Sequence, residues 1–197
     1  MMETKPKLLL HVCCAPDVTV AAERLRASHE LGVYFFNPNI HPRTEYLKRL
    51  EEMERVAPKL GVQRHAAPYD PQRWLDAIRG TESEPEGGSR CEICFRERLL
   101  ATAIAAKELG YDFFGTVLTV SPHKNADLIN KIGAEIAEQV GVGYFPSNFK
   151  KQDGFKRSLE LSREFDLYRQ DYCGCEFSQR DREEQKRLQR ELKEPAK

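Results

Sequence analysis

The chain has 197 residues, enough for one α/β domain with its own core. Acidic and basic residues balance at 31 each, so overall charge draws it to no polyanion, and any nucleic-acid contact must use a local patch. Charged residues make up 31% of the chain and no window holds 18 consecutive apolar residues, which excludes a helical membrane span.

Residues 7–12 form a short apolar run that predicts a first strand, broken at Ala15-Pro16. Helical spacing at Val18, Ala21, Ala22 and Leu25 predicts a helix over 17–31 that stops at Gly32, and 33–36 reads as a second strand. Residues 44–60 predict a helix with Thr44 as its cap and Gly61 at its end. A weak third strand over 63–67 and a short helix over 71–78 precede a loop at 80–89 rich in Glu, Gly and Ser. Residues 91–109 predict a strong helix, 113–120 a fourth strand, and 126–140 a helix ended by Gly141. A fifth strand begins at 143, and helices follow over 155–165 and 176–194.

Strands alternating with helices predict a single α/β domain, residues 1–197, with a five-stranded, mostly parallel sheet covered on both faces. Residues 150–175 are read as a small cap on it. Open sheets of this kind place ligands beyond the carboxyl ends of their strands. The N-terminal run Leu8-Leu9-Leu10 is too short for the core of a signal peptide, so a cytoplasmic location is expected, with thiols kept reduced.

Against that background the six cysteines stand in three pairs: Cys13-Cys14, Cys91-x-x-Cys94 and Cys173-Gly174-Cys175. About 80 residues separate each pair from the next, so only the fold can unite them. Thiolates are soft ligands, and in a reducing compartment paired cysteines point to zinc, copper or iron–sulfur chemistry before disulfides. Cys13 and Cys14 directly follow the first strand. As sequence neighbours their side chains are expected to diverge and to serve adjacent metals. Asp17 is either a hard oxygen ligand or a helix cap. Cys91 and Cys94 lie on one face of a helix start, where the helix end is expected to lower thiol pKa values. Gly174 permits the tight backbone that turns Cys173 and Cys175 to one site, with Tyr172 and Phe177 beside them to exclude water.

Polar stretches follow the last two strands. Thr119, Ser121, His123 and Lys124 fall at the functional edge, and Lys150, Lys151, Lys156 and Arg157 form a basic patch with interleaved aromatics. The patch suits phosphate or single-stranded RNA, unless it is an ordinary solvated surface. Tyr69 and Asp70, near the single tryptophan Trp74, offer aromatic surface and a carboxylate, or plain packing. No dinucleotide glycine loop, Walker loop or H-E-x-x-H motif is present.

Together the motifs resemble the cobalamin-independent epoxyqueuosine reductase family, QueH. The resemblance is carried by His11-x-Cys13-Cys14-Ala15-Pro16-Asp17, Tyr69-Asp70, Arg90-Cys91-x-x-Cys94-Phe95-x-x-Arg98, Ser121-Pro122-x-Lys124, Phe149-Lys150-Lys151-x-x-Gly154, and the run from Leu167 through Arg169 to Cys175. It implies a PP-loop ATPase-like, HUP-type sheet, with cysteines where those enzymes keep a phosphate loop. It also implies reduction of epoxyqueuosine at the tRNA wobble position to queuosine, the last step of queuosine synthesis. The implied cofactors are a [4Fe-4S] cluster and an additional mononuclear iron, without cobalamin. The implied partners are tRNA with queuosine-type anticodons and an external low-potential electron donor, with no membrane.

On this reading Cys13, Cys14, Asp17, Cys91, Cys94, Cys173 and Cys175 supply seven metal ligands, enough for a cluster held by three cysteines, Cys91 and Cys94 among them, and a mononuclear site of three or four ligands. Cys13, Cys14 and Asp17 are also catalytic, and Tyr69, Asp70, Ser121, Lys124, Lys150, Lys151 and Arg169 bind substrate. The rival readings are a PP-loop-related tRNA sulfur transferase, an iron–sulfur thiol-disulfide reductase and a non-catalytic zinc protein that binds RNA. The first should carry a glycine-rich S-G-G-x-D-S loop where this chain has Cys-Cys-Ala-Pro-Asp.

Overall fold

The computed structural model describes residues 5–192. A five-stranded sheet of order β3-β2-β1-β4-β5 runs through its centre, comprising β1 (Lys7–His11), β2 (Glu30–Phe35), β3 (Gln63–Ala66), β4 (Phe113–Thr116) and β5 (Gly143–Tyr144). All of its pairings are parallel. The helices are α1 (Ala15–Leu25), α2 (Arg43–Leu60), α3 (Pro71–Ala77), α4 (Ser89–Glu108), α5 (Ala126–Val140), α6 (Gly154–Glu164) and α7 (Glu176–Glu191). Among the described residues no helix is long and apolar enough to cross a membrane.

The leucine run of β1 is buried on both faces, as a central parallel strand requires. Leu8 and Leu10 pack with α1, α2 and β2 on one side, and Leu9 packs with α4 and α5 on the other. The chain moves from β1 outward through β2 and β3, then returns to lay β4 and β5 on the opposite flank. The reversal makes a crevice between β1 and β4 at their carboxyl ends, where such sheets bind ligands.

Several element boundaries differ from the sequence expectation; the first helix starts at Ala15, taking in the Ala15-Pro16 break, and the fourth helix starts at Ser89 rather than 91. The first helix ends at Leu25 rather than 31, because the amides of Ser28 and His29 and the Ser28 hydroxyl all turn back onto the Leu25 carbonyl. The Glu30 amide then bonds Pro6 and draws the chain into the sheet, so Gly32 lies inside β2. A Cβ at Gly32 would collide with the Tyr111 ring. Thr44 is not a cap: the second helix begins at Arg43 behind Pro42 and does end at the left-handed Gly61. The fourth strand stops at Thr116, whose hydroxyl accepts the Leu118 amide at 3.1 Å and starts a 3-10 turn over Leu118–Val120. The terminal helix is described to Glu191, and its expected end at Glu194 lies outside the described residues.

Candidate metal centre

Each cysteine pair stands at the amino end of a helix. Cys14 is the residue before the first turn of α1, Cys91 lies in the first turn of α4, and Cys175 is the N-cap of α7. Helix amino ends carry unpaired N–H groups and partial positive charge, both favourable to anionic sulfur. Accordingly, the Gly87 amide donates to Cys91 Sγ at 3.2 Å and the Ser178 amide to Cys175 Sγ at 3.4 Å.

The pairs form two neighbouring groups. In the first, Cys13 and Cys14 do not diverge. Cys14 takes an extended conformation (φ −161°, ψ 152°) just before α1, and the turn into the helix leaves the two sulfurs 4.0 Å apart. One carboxylate oxygen of Asp17 joins them, with all three ligand atoms within 4.8 Å of one another. Two sulfurs bound to one ion at about 2.3 Å can be at most about 4.6 Å apart, so this spacing suits a single metal ion. Asp17 is buried in the first turn of α1 and is not its N-cap, which decides against the capping alternative. The loop is pinned from behind: the Asn37 amide donates to the Val12 carbonyl at 2.8 Å, and the fully buried His11 ring bonds Thr116 Oγ1 and the Phe36 carbonyl, each at 3.2 Å.

In the second group Cys91, Cys94, Cys173 and Cys175 line one cavity with Trp74 and Arg98. Their sulfurs do not gather within single-ion range: Cys13, Cys14 and Asp17 are the one such triad among the described residues. Sulfurs that each bind a different iron of a cluster must stand further apart, so the wider arrangement fits a polynuclear group. The donor set, four thiols beside buried cations, also matches iron–sulfur chemistry. Gly174 holds φ +134°, where a Cβ would meet Ile40 at 3.0 Å and Arg49 at 3.3 Å, so the tight link between Cys173 and Cys175 requires glycine. Tyr172 donates its hydroxyl to the His41 carbonyl, and Phe177 packs beside Trp74. All six cysteines are free thiols.

Electrostatics ties the groups together. The Cys14 thiol hydrogen-bonds Cys13 and lowers the Cys13 pKa, helped by Lys124, Arg98 and Arg49, while Cys14 itself is raised. Burial, then the Cys13 charge, lifts Asp17 to about 6. The expectation that the helix end lowers the Cys91 and Cys94 pKa values is overturned. Burial dominates, raising Cys91 and pushing Cys94 up to about 12, with neighbouring thiolates adding to both. Cys175 is raised by burial in the same way. Metal binding here must therefore expel protons. Burial pulls the Lys124 pKa down, but Cys173, Cys13 and Asp17 outweigh it and hold the ammonium charged. That one side chain faces ligands of both groups.

The remaining sequence candidates fall around this core. Ser121 Oγ accepts the His123 amide at 3.3 Å, shaping the loop that carries Lys124. Lys150 Nζ donates to the Lys124 carbonyl at 2.7 Å, so the basic stretch adjoins the site. Lys151 and Lys156 are exposed, whereas Arg157 is engaged by Glu23, Glu160 and Glu164 and is not a free cation. Arg169 bonds Ser162 Oγ at 3.0 Å and lies close enough to Asp17 to lower its pKa. Tyr69 donates to the Ile40 carbonyl and packs at a tilt against Tyr46, and Asp70 caps α3 by accepting the Arg73 amide.

The sequence reading gave no role to Arg49, which is buried and donates to the Cys173 carbonyl at 3.1 Å, or to Arg98, buried beside Cys94. Arg98 stands in the sequence only as the last residue of the Cys91–Cys94 family motif, and Arg49 looks like one more arginine on a charged helix face, where only its helix phase against Met53 gives a signal.

A family description, epoxyqueuosine reductase QueH, matches residues 8–181. A relative of that name from Streptococcus pyogenes serotype M1 is 43% identical over 180 residues, covering 88% of this chain and 71% of the relative. Another from Thermotoga maritima is 38% identical over 180 residues, covering 90% of this chain and 92% of the relative. Among solved structures, the U34-tRNA thiolase NcsA from Methanococcus maripaludis with its [4Fe-4S] cluster is similar at TM-score 0.53. It is 14% identical, over 96% of this chain and 67% of that one, a likeness of fold.

Proposed function

The chain belongs to the epoxyqueuosine reductase QueH family, and from that membership we propose how its two cysteine groups divide the reaction. The enzyme is an oxidoreductase that reduces the epoxide of epoxyqueuosine in tRNA to give queuosine. Removing the epoxide oxygen as water consumes two electrons and two protons. The observation that carries the division is the contrast between a compact Cys13–Cys14–Asp17 triad and a wider cavity with four cysteines.

Cys91, Cys94, Cys173 and Cys175 hold a [4Fe-4S] cluster, and Cys13, Cys14 and Asp17 hold a single iron. When bound, the cluster supplies electrons one at a time and the iron supplies a Lewis acid for the departing oxygen. Asp17 would add a hard oxygen donor to the two soft sulfurs, a mixed set that suits iron acting as a Lewis acid. Lys124 holds a proton at Nζ beside Cys13 and Asp17 and balances their charge. Arg49 fixes the Cys173 carbonyl and so orients the Cys173–Cys175 turn. Lys151 and Lys156 meet the phosphates of tRNA, and Ser121 shapes the loop that carries Lys124. Electrons come from an external low-potential donor, and no cobalamin takes part.

The test uses anaerobically reconstituted enzyme, a low-potential reductant and epoxyqueuosine-containing tRNA, with no cobalamin added. Iron and sulfide are counted and the nucleosides analysed. Queuosine should form only in protein that contains both sulfide and iron in excess of the cluster. Full turnover by protein lacking that extra iron rejects the division of labour.

A further inference from the structure

We propose that Trp74 and Arg98 are positioning residues for electron transfer: their N–H groups donate hydrogen bonds to sulfur in the cluster cavity and set how readily the cluster is reduced. The inference rests on the assignment of that cavity to the cluster.

Both side chains line the cavity with Cys91, Cys94, Cys173 and Cys175. Each is 1% exposed. Trp74 Nε1 is buried without any hydrogen-bond partner, and so is Arg98 Nη2. Neither group can accept; indole and guanidinium are donors only. A buried donor left unsatisfied is costly, and Arg90 Nε lines the same cavity unpaired as well, so three such donors imply acceptors that a bound group supplies. Trp74 and Arg98 are each held in place from behind. The Trp74 ring lies between His41 and Phe177, with ring centroids 5.9 and 6.2 Å away, and Arg98 Nε donates to the Cys94 carbonyl at 3.1 Å. Asn39 Oδ1 also lines the cavity, but neither it nor a cysteine sulfur bonds these donors, so the acceptor left to them is sulfide of the cluster. N–H donors to a cluster's sulfur favour its more negative, reduced state and raise its potential.

Trp74→Phe removes the N–H and keeps an aromatic ring; Arg98→Lys keeps the charge and loses the planar fork. Both are reconstituted anaerobically beside the wild type, their iron and sulfide counted and their midpoints read by redox titration followed by electron paramagnetic resonance. The expected result is a wild-type cluster count in each variant with a lower midpoint, about tenfold in the reduction equilibrium or about 59 mV for one electron. In deuterium oxide, proton couplings to the reduced wild-type cluster should show an exchangeable proton that Trp74→Phe loses. Unchanged midpoints in both loaded variants overturn the inference and leave the cluster assignment standing. No exchangeable coupled proton in the wild type also overturns it. A wild type that assembles no cluster overturns the assignment and the inference together.

Discussion

Cys175 Sγ accepts the Ser178 backbone amide at 3.4 Å, so one candidate ligand is also the cap of its own helix. The Ser178 hydroxyl completes the turn, accepting the Gly174 amide at 3.3 Å and donating to the Cys175 carbonyl at 2.9 Å. Ser178→Ala would leave the buried Gly174 amide unpaired at a cost of roughly 1–3 kcal/mol. The loop should hold its metal less firmly. Iron release to a chelator should be faster than in wild type, and an unchanged release rate would show that the turn is held by Arg49 alone.

Asp17→Ala should keep the cluster's visible absorbance, lose the additional iron and abolish epoxide reduction. A cap residue would cost about 1 kcal/mol of stability when removed, but Asp17 is not the cap. Its folded pKa of about 6 lies above the usual carboxylate value, so its charge at neutral pH opposes folding. Metal-free Asp17→Asn should therefore unfold in urea at the wild-type midpoint or above it at pH 7. Near-normal turnover by Asp17→Ala would reject its role as an iron ligand.

Cys94→Ala should lose the cluster but not the fold. Cys94 packs in a small satellite with Trp74, Ile78, Cys175 and Phe177, apart from the cores on the two sheet faces. Far-ultraviolet circular dichroism should match wild type while sulfide per chain falls towards zero, and Cys91→Ala should behave alike. Full sulfide content in either variant would remove that cysteine from the ligand set.

Acid should destabilise the protein through His11. Burial, then the charge of Arg98, lowers its pKa to about 3, below the ordinary imidazole value of 6.5. Between those values the unfolded chain binds a proton that the folded chain refuses. The stability is thus complete above pH 6.5 and is lost as pH falls towards 3, on the order of 5 kcal/mol at most. His11→Gln can donate to Phe36 and accept from Thr116 without titrating. Urea midpoints measured from pH 7 to 4 should fall less steeply in this variant than in wild type. Parallel slopes would show that His11 is not the group responsible.

Lys151 is exposed beside the site and tests the tRNA face. Lys151→Ala should weaken tRNA binding, reduce the salt slope of log K by about 0.7–0.9 and leave iron content unchanged. A slope equal to wild type would place the phosphates elsewhere.

Much of the architecture is local and was legible in the sequence. The apolar run at Leu8-Leu9-Leu10, Gly61 and Gly141 as helix ends, and the alternation of strands with helices each follow from short-range periodicity or backbone freedom. So does the placing of Cys13 at the carboxyl end of the first strand. The family motifs could be read along the chain because their residue types and order are themselves the signal. Burial and convergence are not local. Only the packed sheet brings Cys94 beside Cys175, turns Cys13 and Cys14 onto one point with Asp17, and sinks Arg49 and Arg98 behind them. The thiol pKa values at Cys91 and Cys94 were misjudged for the same reason. A helix end is visible in sequence, but the desolvation that outweighs it is set by everything that folds around the thiol.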